Sequence, residues 1–149
     1  MTDRHGLMRI LLVEDNDDDI LITRKALKEA KMVNEVYVVR AGQEALNFLQ
    51  HRGTYQDATT SPKSGLILLD INMPKMSGLD VLAYVKKDRE LKRIPVVLLT
   101  SSKREQDVTK GYENGCNSFL QKPVEFERFV ELITEIGSYW GLLNITPPE

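Results

Sequence analysis

The fold is decided by the stretch Leu66-Ile67-Leu68-Leu69-Asp70-Ile71-Asn72-Met73-Pro74, in which an unbroken apolar run ends in a carboxylate. Three more apolar runs end in polar residues: Ile10-Leu11-Leu12-Val13 before Glu14-Asp15, Pro95-Val96-Val97-Leu98-Leu99 before Thr100, and Ser118-Phe119-Leu120 near Lys122-Pro123. Continuous apolar runs of this length are typical of strands buried on both faces of a parallel sheet. Because the working site of an open α/β sheet lies at the carboxyl ends of its strands, we expect three carboxylates, a hydroxyl and an ammonium at one edge.

Helical patterns alternate with these runs, as they do in βαβ units. The predicted strands are Met8–Glu14, Glu35–Arg40, Leu66–Ile71, Val96–Thr100 and Asn117–Leu120. Helices are expected after a cap at Asn16 or Asp17, from near Gly42, after Gly78, over Lys103–Asn114 and after Pro123. Five strands and five helices predict a flavodoxin-like, doubly wound (βα)5 fold, α/β in class, with a parallel sheet in the order 2-1-3-4-5.

The bulk properties of the chain narrow the class of protein. It has 149 residues and a formal net charge of −2, so we expect one domain with a full-sized core and no general attraction for nucleic acid. We predict a single domain over residues 1–149, with a core of about 7–139 and an extension over 140–149. The lack of a long apolar stretch and of a signal-peptide pattern predicts a cytoplasmic protein without a membrane span. One cysteine excludes an internal disulfide, and two histidines far from the strand ends argue against zinc.

The acids at the strand ends predict a metal site. Oxygen ligands without His or Cys favour Mg²⁺, with Mn²⁺ as a substitute. Because Mg²⁺ keeps several waters, Glu14, Asp15 and Asp70 with a backbone carbonyl just past Asp70 would suffice. The neighbouring acids Asp17, Asp18 and Asp19 are interpreted instead as charges at the start of the first helix.

Asp70 is also the best candidate nucleophile, because it follows a central buried strand and a carboxylate can attack phosphorus to form an acyl phosphate. Lys122 and a metal would neutralise charge that develops on the phosphoryl oxygens. Thr100 could donate a hydrogen bond to one of those oxygens. Each of these residues is unremarkable alone, and the prediction depends on the whole set.

The combined motifs resemble the response-regulator receiver family over almost the whole chain. They are Leu12-Val13-Glu14-Asp15, Leu68-Leu69-Asp70-Ile71-Asn72-Met73-Pro74 with Ser77-Gly78, Leu99-Thr100-Ser101, and Lys122-Pro123. Each motif is weak by itself, but four in this order are very specific. The resemblance implies that Asp70 accepts phosphate from the phosphohistidine of a sensor histidine kinase. It also implies a signalling protein that catalyses only its own phosphotransfer and autodephosphorylation, and is not otherwise an enzyme.

The resemblance assigns a role to each site residue. Asp15, Asp70 and the Asn72 backbone carbonyl are implied as direct Mg²⁺ ligands, and Glu14 as a ligand acting through water. Lys122 is implied as the residue whose ammonium contacts the phosphate, and the Lys122-Pro123 peptide bond as cis.

The resemblance also implies a conformational switch that responds to phosphorylation. Thr100 is expected to move towards the phosphoryl group, which vacates space for Phe119 to turn inward. The output is then a changed surface of helix four, strand five and helix five. Phe119 could equally be an ordinary strand residue that fills the core.

The end of the chain carries more apolar surface than one face of a sheet needs. The predicted dimer or partner surface comprises Leu132, Ile136, Tyr139, Trp140 and Leu143. The alternative is that Trp140–Ile145 fold back on the domain's own core. Asn34-Glu35 and Tyr139-Trp140, with the long polar loop before Leu66, resemble the small stand-alone response regulators of cyanobacterial and bacterial phytochromes. That resemblance implies a light-sensing kinase as phosphate donor, a homodimer and an unknown downstream protein.

Four other functions compete with that of a phosphorylated terminal effector. An aspartyl phosphatase of the haloacid dehalogenase class needs a second acid where this chain has Asn72. A flavodoxin needs a phosphate-binding loop where the acids Asp15–Asp19 would repel phosphate. A pseudo-receiver that binds partners without phosphorylation normally lacks a site residue, and none is missing here. A phosphorelay intermediate, which passes phosphate to a histidine phosphotransfer protein, stays open beside a terminal effector.

Overall fold

Five parallel strands form one sheet in the computed structural model, which describes residues 8–29, 33–56, 64–101, 111–113, 115–116, 118–132 and 134. The strands are β1 (Met8–Val13), β2 (Val33–Val39), β3 (Leu66–Asp70), β4 (Val96–Thr100) and β5 (Ser118–Gln121), in the order β2-β1-β3-β4-β5. The helices are α1 (Asp17–Glu29), α2 (Gly42–Leu49) and α3 (Gly78–Lys87), together with helical residues 111–113, labelled α4, and 126–132 and 134, labelled α5. The predicted flavodoxin-like fold and strand order are confirmed.

The sheet separates two apolar layers. On one face, α2 and α3 pack over β-strand residues such as Leu11, Ile67 and Leu98. On the other face, Leu27 of α1 and Phe129 of α5 cover the alternate strand residues. Every residue of β3 and β4 is buried, which explains why their sequences are continuously apolar rather than alternating.

Several element boundaries differ from the prediction. β2 begins at Val33, two residues before the predicted Glu35, because it pairs with β1 from its first residue. β1 and β3 each end one residue earlier than predicted, and β5 extends to Gln121. Short 3-10 turns at Gly53–Tyr55 and Leu91–Arg93 had no predicted counterpart. Of the predicted fourth helix, Lys103–Asn114, only residues 111–113 are among the described residues.

The start of α3 touches the strand end that carries Asp70. Ser77 and Asp80 form a capping box: the Asp80 N–H donates to Ser77 Oγ at 3.3 Å, and the Ser77 N–H donates to Asp80 Oδ2 at 3.2 Å. The Gly78 N–H donates to the Ile71 carbonyl oxygen at 2.9 Å. A Cβ at Gly78 would lie 2.2 Å from the Asp70 carbonyl oxygen, so only glycine fits between helix and strand.

The end of the described chain corrects one residue of the predicted partner surface. Leu132 is 6 % exposed and packs with Phe129 in the chain's own core, which leaves it little area to offer a partner. The other members of that surface lie outside the described residues: Ile136, Tyr139, Trp140 and Leu143. None of the helices in the described part of the chain has both the length and the apolar character that a bilayer crossing demands.

Candidate functional site

The strand ends meet at one edge of the sheet, as predicted. Asp70 is the last residue of β3 and lies opposite Leu99 of β4. Thr100 follows on β4, is buried, and lies opposite Gln121 of β5. The Lys122 N–H donates to the Thr100 carbonyl oxygen at 2.9 Å. Thr100, predicted to supply a hydroxyl, therefore ends the strand next to that of Asp70, and Lys122, predicted to supply an ammonium, follows the strand after it.

Three acids from two strand ends come together as a group. Glu14, Asp15 and Asp70 each offer a carboxylate oxygen, and these oxygens lie within 4.8 Å of one another. Glu14 is fully buried and Asp70 is 2 % exposed. Glu14 Oε1 and Asp70 Oδ1 are buried, and within the described part of the chain neither atom accepts a hydrogen bond of good angular geometry. Buried acceptors of this kind are costly unless paired, and hard oxygen ligands suit Mg²⁺ or Mn²⁺, so the residues fit a divalent cation.

Lys122 reaches into this group of acids. Its Nζ lies 2.9 Å from Glu14 Oε1, 3.0 Å from Asp70 Oδ1 and 3.0 Å from Asp19 Oδ2. The contact with Asp19 has the geometry of a hydrogen bond, whereas the other two are ion pairs without it. The Lys122 side chain is only 11 % exposed, so water screens these contacts weakly. The Lys122–Pro123 peptide bond is cis.

The balance of charge in the site is visible in the pKa values. Burial raises the pKa of Glu14 to about 7, against the opposing effect of Lys122. Burial also raises the pKa of Asp70, although Lys122, Glu14 and the Asn72 backbone N–H favour its ionised form. Burial alone would lower the pKa of Lys122, but its three carboxylate partners raise it above the ordinary value. The site is therefore short of positive charge, which a bound cation would supply.

Asp19 belongs to the site, contrary to the interpretation of Asp17, Asp18 and Asp19 as helix-start charges alone. All three lie in the first turn of α1, whose start is capped by Asn16: the Asp19 N–H donates to Asn16 Oδ1 at 2.9 Å. Asp17 pairs with Arg40 and Asp18 is exposed, whereas Asp19 turns towards Lys122. Its position in the first helical turn gave no signal of this contact, because Lys122 lies 103 residues away in the sequence.

Phe119 is a residue of β5, and its ring packs against α4. It is opposite Leu98 in the sheet, half-buried, and packs against the apolar layer of α2 and α3. Its ring meets the Tyr112 ring edge-on, with centroids 5.1 Å apart. A Cβ at Gly111 would lie 2.6 Å from Phe119 Cζ, so the glycine leaves room for this ring. The role of Phe119 as a switch stays a prediction.

Comparisons of the sequence and of the structure with known proteins point to the same family. The response regulator receiver domain family matches residues 10–134. The response regulator Rcp1 of Synechocystis sp. is 41% identical over 139 residues, which are 93% of this chain and 92% of Rcp1. A crystal structure of the Mn²⁺-bound form of Rcp1 superposes with a TM-score of 0.74 at 40% identity, over 95% of this chain and 99% of that one.

Two further solved structures are similar over most of their length. The bacteriophytochrome response regulator RtBRR has a TM-score of 0.80 at 46% identity, and the match covers 95% of this chain and 85% of that one. The phosphorylated cyanobacterial phytochrome response regulator RcpA has a TM-score of 0.76 at 38% identity, over 96% and 99% of the two chains.

Proposed function

Because the chain belongs to the response regulator receiver family, we propose that Asp70 accepts a phosphoryl group from the phosphohistidine of a sensor histidine kinase. One observation carries the proposal: Asp70 is buried at the end of a central strand, with Lys122 Nζ at 3.0 Å and two further acids beside it. A buried carboxylate next to an ammonium and a cation-binding group of acids is suited to phosphoryl transfer through an acyl phosphate.

In the transfer, a carboxylate oxygen of Asp70 attacks phosphorus, the P–N bond of the phosphohistidine breaks, and the imidazole leaves with the bonding electrons. Lys122 neutralises charge on the phosphoryl oxygens, and the Thr100 hydroxyl donates a hydrogen bond to one of them. Bound Mg²⁺, or Mn²⁺, would supply further positive charge at those oxygens. The residues that would hold it are Asp15, Asp70 and the Asn72 carbonyl directly, and Glu14 through water.

The proposed output is a change in the surface formed by α4, β5 and α5. Thr100 moves towards the phosphoryl group, and Phe119 turns into the space that Thr100 leaves. The contacts of Phe119 with Gly111 and Tyr112 support this route, because the ring cannot turn without changing its packing against α4. Phosphorylation would thereby shift the population of two arrangements of the same surface.

The proposal extends to partners and organisation. The relatives RtBRR and RcpA are named as phytochrome response regulators, which supports a phytochrome-type light sensor as the phosphate donor. We propose a single receiver domain over residues 1–149 of a cytoplasmic protein, acting through an unidentified downstream protein. We also propose a homodimer, formed through the apolar residues of the C-terminal segment.

Intact mass after incubation with acetyl phosphate tests the proposal. The wild-type chain should gain one phosphoryl group when Mg²⁺ is present and none in EDTA. Asp70→Asn should gain none, whereas Asp88→Asn, which changes an acid at the far end of α3, should behave as the wild type does. No gain by the wild type under any condition would contradict the proposal and favour the pseudo-receiver function.

A second experiment identifies the phosphate donor and tests whether the chain passes its phosphate on. A phytochrome-type kinase should transfer labelled phosphate to the wild type and not to Asp70→Asn. Onward transfer from the phosphorylated chain to a histidine phosphotransfer protein would make it a relay intermediate rather than a terminal effector.

A further inference from the structure

Lys122 contacts three carboxylates, of which two could also hold a cation and one, that of Asp19, lies apart from them. Glu14 Oε1 and Asp70 Oδ1 contact Nζ as ion pairs, and both residues belong to the group of acids that fits a cation. Asp19 Oδ2 accepts a hydrogen bond from Nζ at 3.0 Å and lies outside that group. Asp19 is therefore the one of these three partners that Lys122 does not share with a cation.

A divalent cation held by this group of acids would draw on Glu14 and Asp70, the same two residues that the Lys122 ammonium contacts. Two cations a few ångströms apart repel strongly where water is scarce, and Lys122 is 11 % exposed. Its flexible four-carbon stem allows the ammonium to withdraw. An ammonium with so little access to water still needs a partner after it withdraws, and Asp19 is already in contact with it.

On the basis of the proposed function, which supplies the cation, we propose that Asp19 is a positioning residue that holds the Lys122 ammonium when a divalent cation takes Glu14 and Asp70. Asp19 contacts neither the cation nor the phosphoryl group and acts through Lys122. Its effect on metal affinity must therefore disappear when Lys122 is removed. A simple helix-start charge would act without Lys122, and it would act equally from Asp18.

Isothermal titration calorimetry of the full chain with Mg²⁺, at about 0.15 M salt, measures the effect. Asp19→Asn should raise the Mg²⁺ dissociation constant about tenfold. The matched control, Asp18→Asn, removes the same charge from an exposed side chain in the same turn and should change the constant less than about twofold. Asp19→Glu keeps a carboxylate within reach of Lys122 and should stay within about threefold of the wild type.

Measurements in a chain that carries Lys122→Met distinguish a positioning role of Asp19 from a simple charge effect at the start of the helix. Without the ammonium, Asp19→Asn should change the dissociation constant no more than Asp18→Asn does. An equal loss for the two aspartate variants, or a loss from Asp19→Asn that persists in Lys122→Met, overturns the inference. Asp19→Ser is prepared beside Asp19→Asn, so that a variant found unfolded by circular dichroism in EDTA is replaced by the other.

Failure of this inference is distinguishable from failure of the proposed function. A wild-type chain that takes up phosphate on Asp70 but shows no coupling between Asp19 and Lys122 overturns the inference and leaves the proposed function standing. A wild-type chain that binds neither Mg²⁺ nor Mn²⁺ and takes up no phosphate overturns both.

Discussion

Glu14 shows at the scale of one residue how burial near other charges alters stability. Its pKa is raised from 4.5 to about 7, chiefly by burial, so the folded chain binds a proton more tightly than the unfolded chain does. A group of this kind stabilises the fold below its unfolded pKa and loses that contribution as the pH rises through its folded pKa. Without metal, the free energy of unfolding should therefore fall between about pH 4.5 and pH 7. The raised pKa of Asp70 acts in the same direction.

We expect Glu14→Gln to raise the free energy of unfolding in EDTA at pH 8 by about 1–3 kcal/mol, because the amide keeps the volume without the buried charge. At pH 5 the gain should be much smaller. Urea unfolding at both pH values measures the difference, with Glu127→Gln as the control at an exposed glutamate. A gain of equal size at pH 5 and pH 8 would contradict the assignment of the effect to Glu14 ionisation.

The positions of most site residues were predictable from the sequence for a physical reason, although their roles were predicted only as a set. A buried parallel strand is recognisable by its continuous apolar run, and the polar residue that ends it must lie at the edge of the sheet. Asp70, Asp15 and Thr100 were placed in this way. Asp19 was not, because an acid in the first turn of a helix is explained equally well by the helix dipole. Its role depends on the position of the Lys122 ammonium, which comes 103 residues later in the sequence and which no local pattern predicts.

At the scale of elements, the contact between α4 and β5 depends on a glycine. A Cβ at Gly111 would lie 2.6 Å from both Leu98 Cδ1 and Phe119 Cζ. Both atoms are side-chain ends, which can rotate at moderate cost, unlike backbone atoms. The absent side chain at Gly111 therefore sets where the Phe119 ring lies relative to α4.

Gly111→Ala should lower the free energy of unfolding by about 1 kcal/mol, the cost of overpacking less the gain in helix propensity. It should also displace the Phe119 ring, which shifts the ring resonances of Phe119 and Tyr112 in NMR spectra. Glu113→Ala, at an exposed position of the same helix, is the control. Unchanged ring resonances in Gly111→Ala would show that the glycine does not set the ring position.

Elements were better predicted than their ends. Order, type and pairing of the strands follow from hydrophobic runs and from the right-handed crossover rule. The early start of β2 at Val33 and the 3-10 turns at Gly53–Tyr55 and Leu91–Arg93 depend on pairing and packing that single segments do not encode. Leu132 is a similar case, since a surplus of apolar residues at the end of the chain does not show which of them face the sheet.

At the scale of the whole molecule, the sheet keeps its two apolar layers apart. The layer that contains Leu27 and Phe129 joins α1 to α5, and the opposite layer joins α2 and α3. Among the described residues, Leu132 is the last apolar residue of the first layer.

Cutting the chain after Ile136 should leave Asp70 phosphorylatable and weaken self-association, with a dissociation constant at least about tenfold higher. Sedimentation velocity at several concentrations measures the association, and intact mass after acetyl phosphate treatment measures the phosphorylation. A control chain that lacks only residues 146–149 keeps Tyr139, Trp140 and Leu143 and should associate as the wild type does. Unchanged sedimentation of the shorter chain would count against a dimer built by this segment.

The close approach of α3 to β3 affects how tolerance to mutation should be read. Gly78 takes no part in any reaction, yet every other amino acid carries the Cβ that would lie 2.2 Å from the Asp70 carbonyl oxygen. In a saturation mutagenesis screen selected for signalling, position 78 should lose every variant and so imitate a reactive residue. Lys75, exposed and at φ 70°, should instead gain glycine and asparagine variants. Intolerance at Gly78 would record clearance between two backbones, not chemistry.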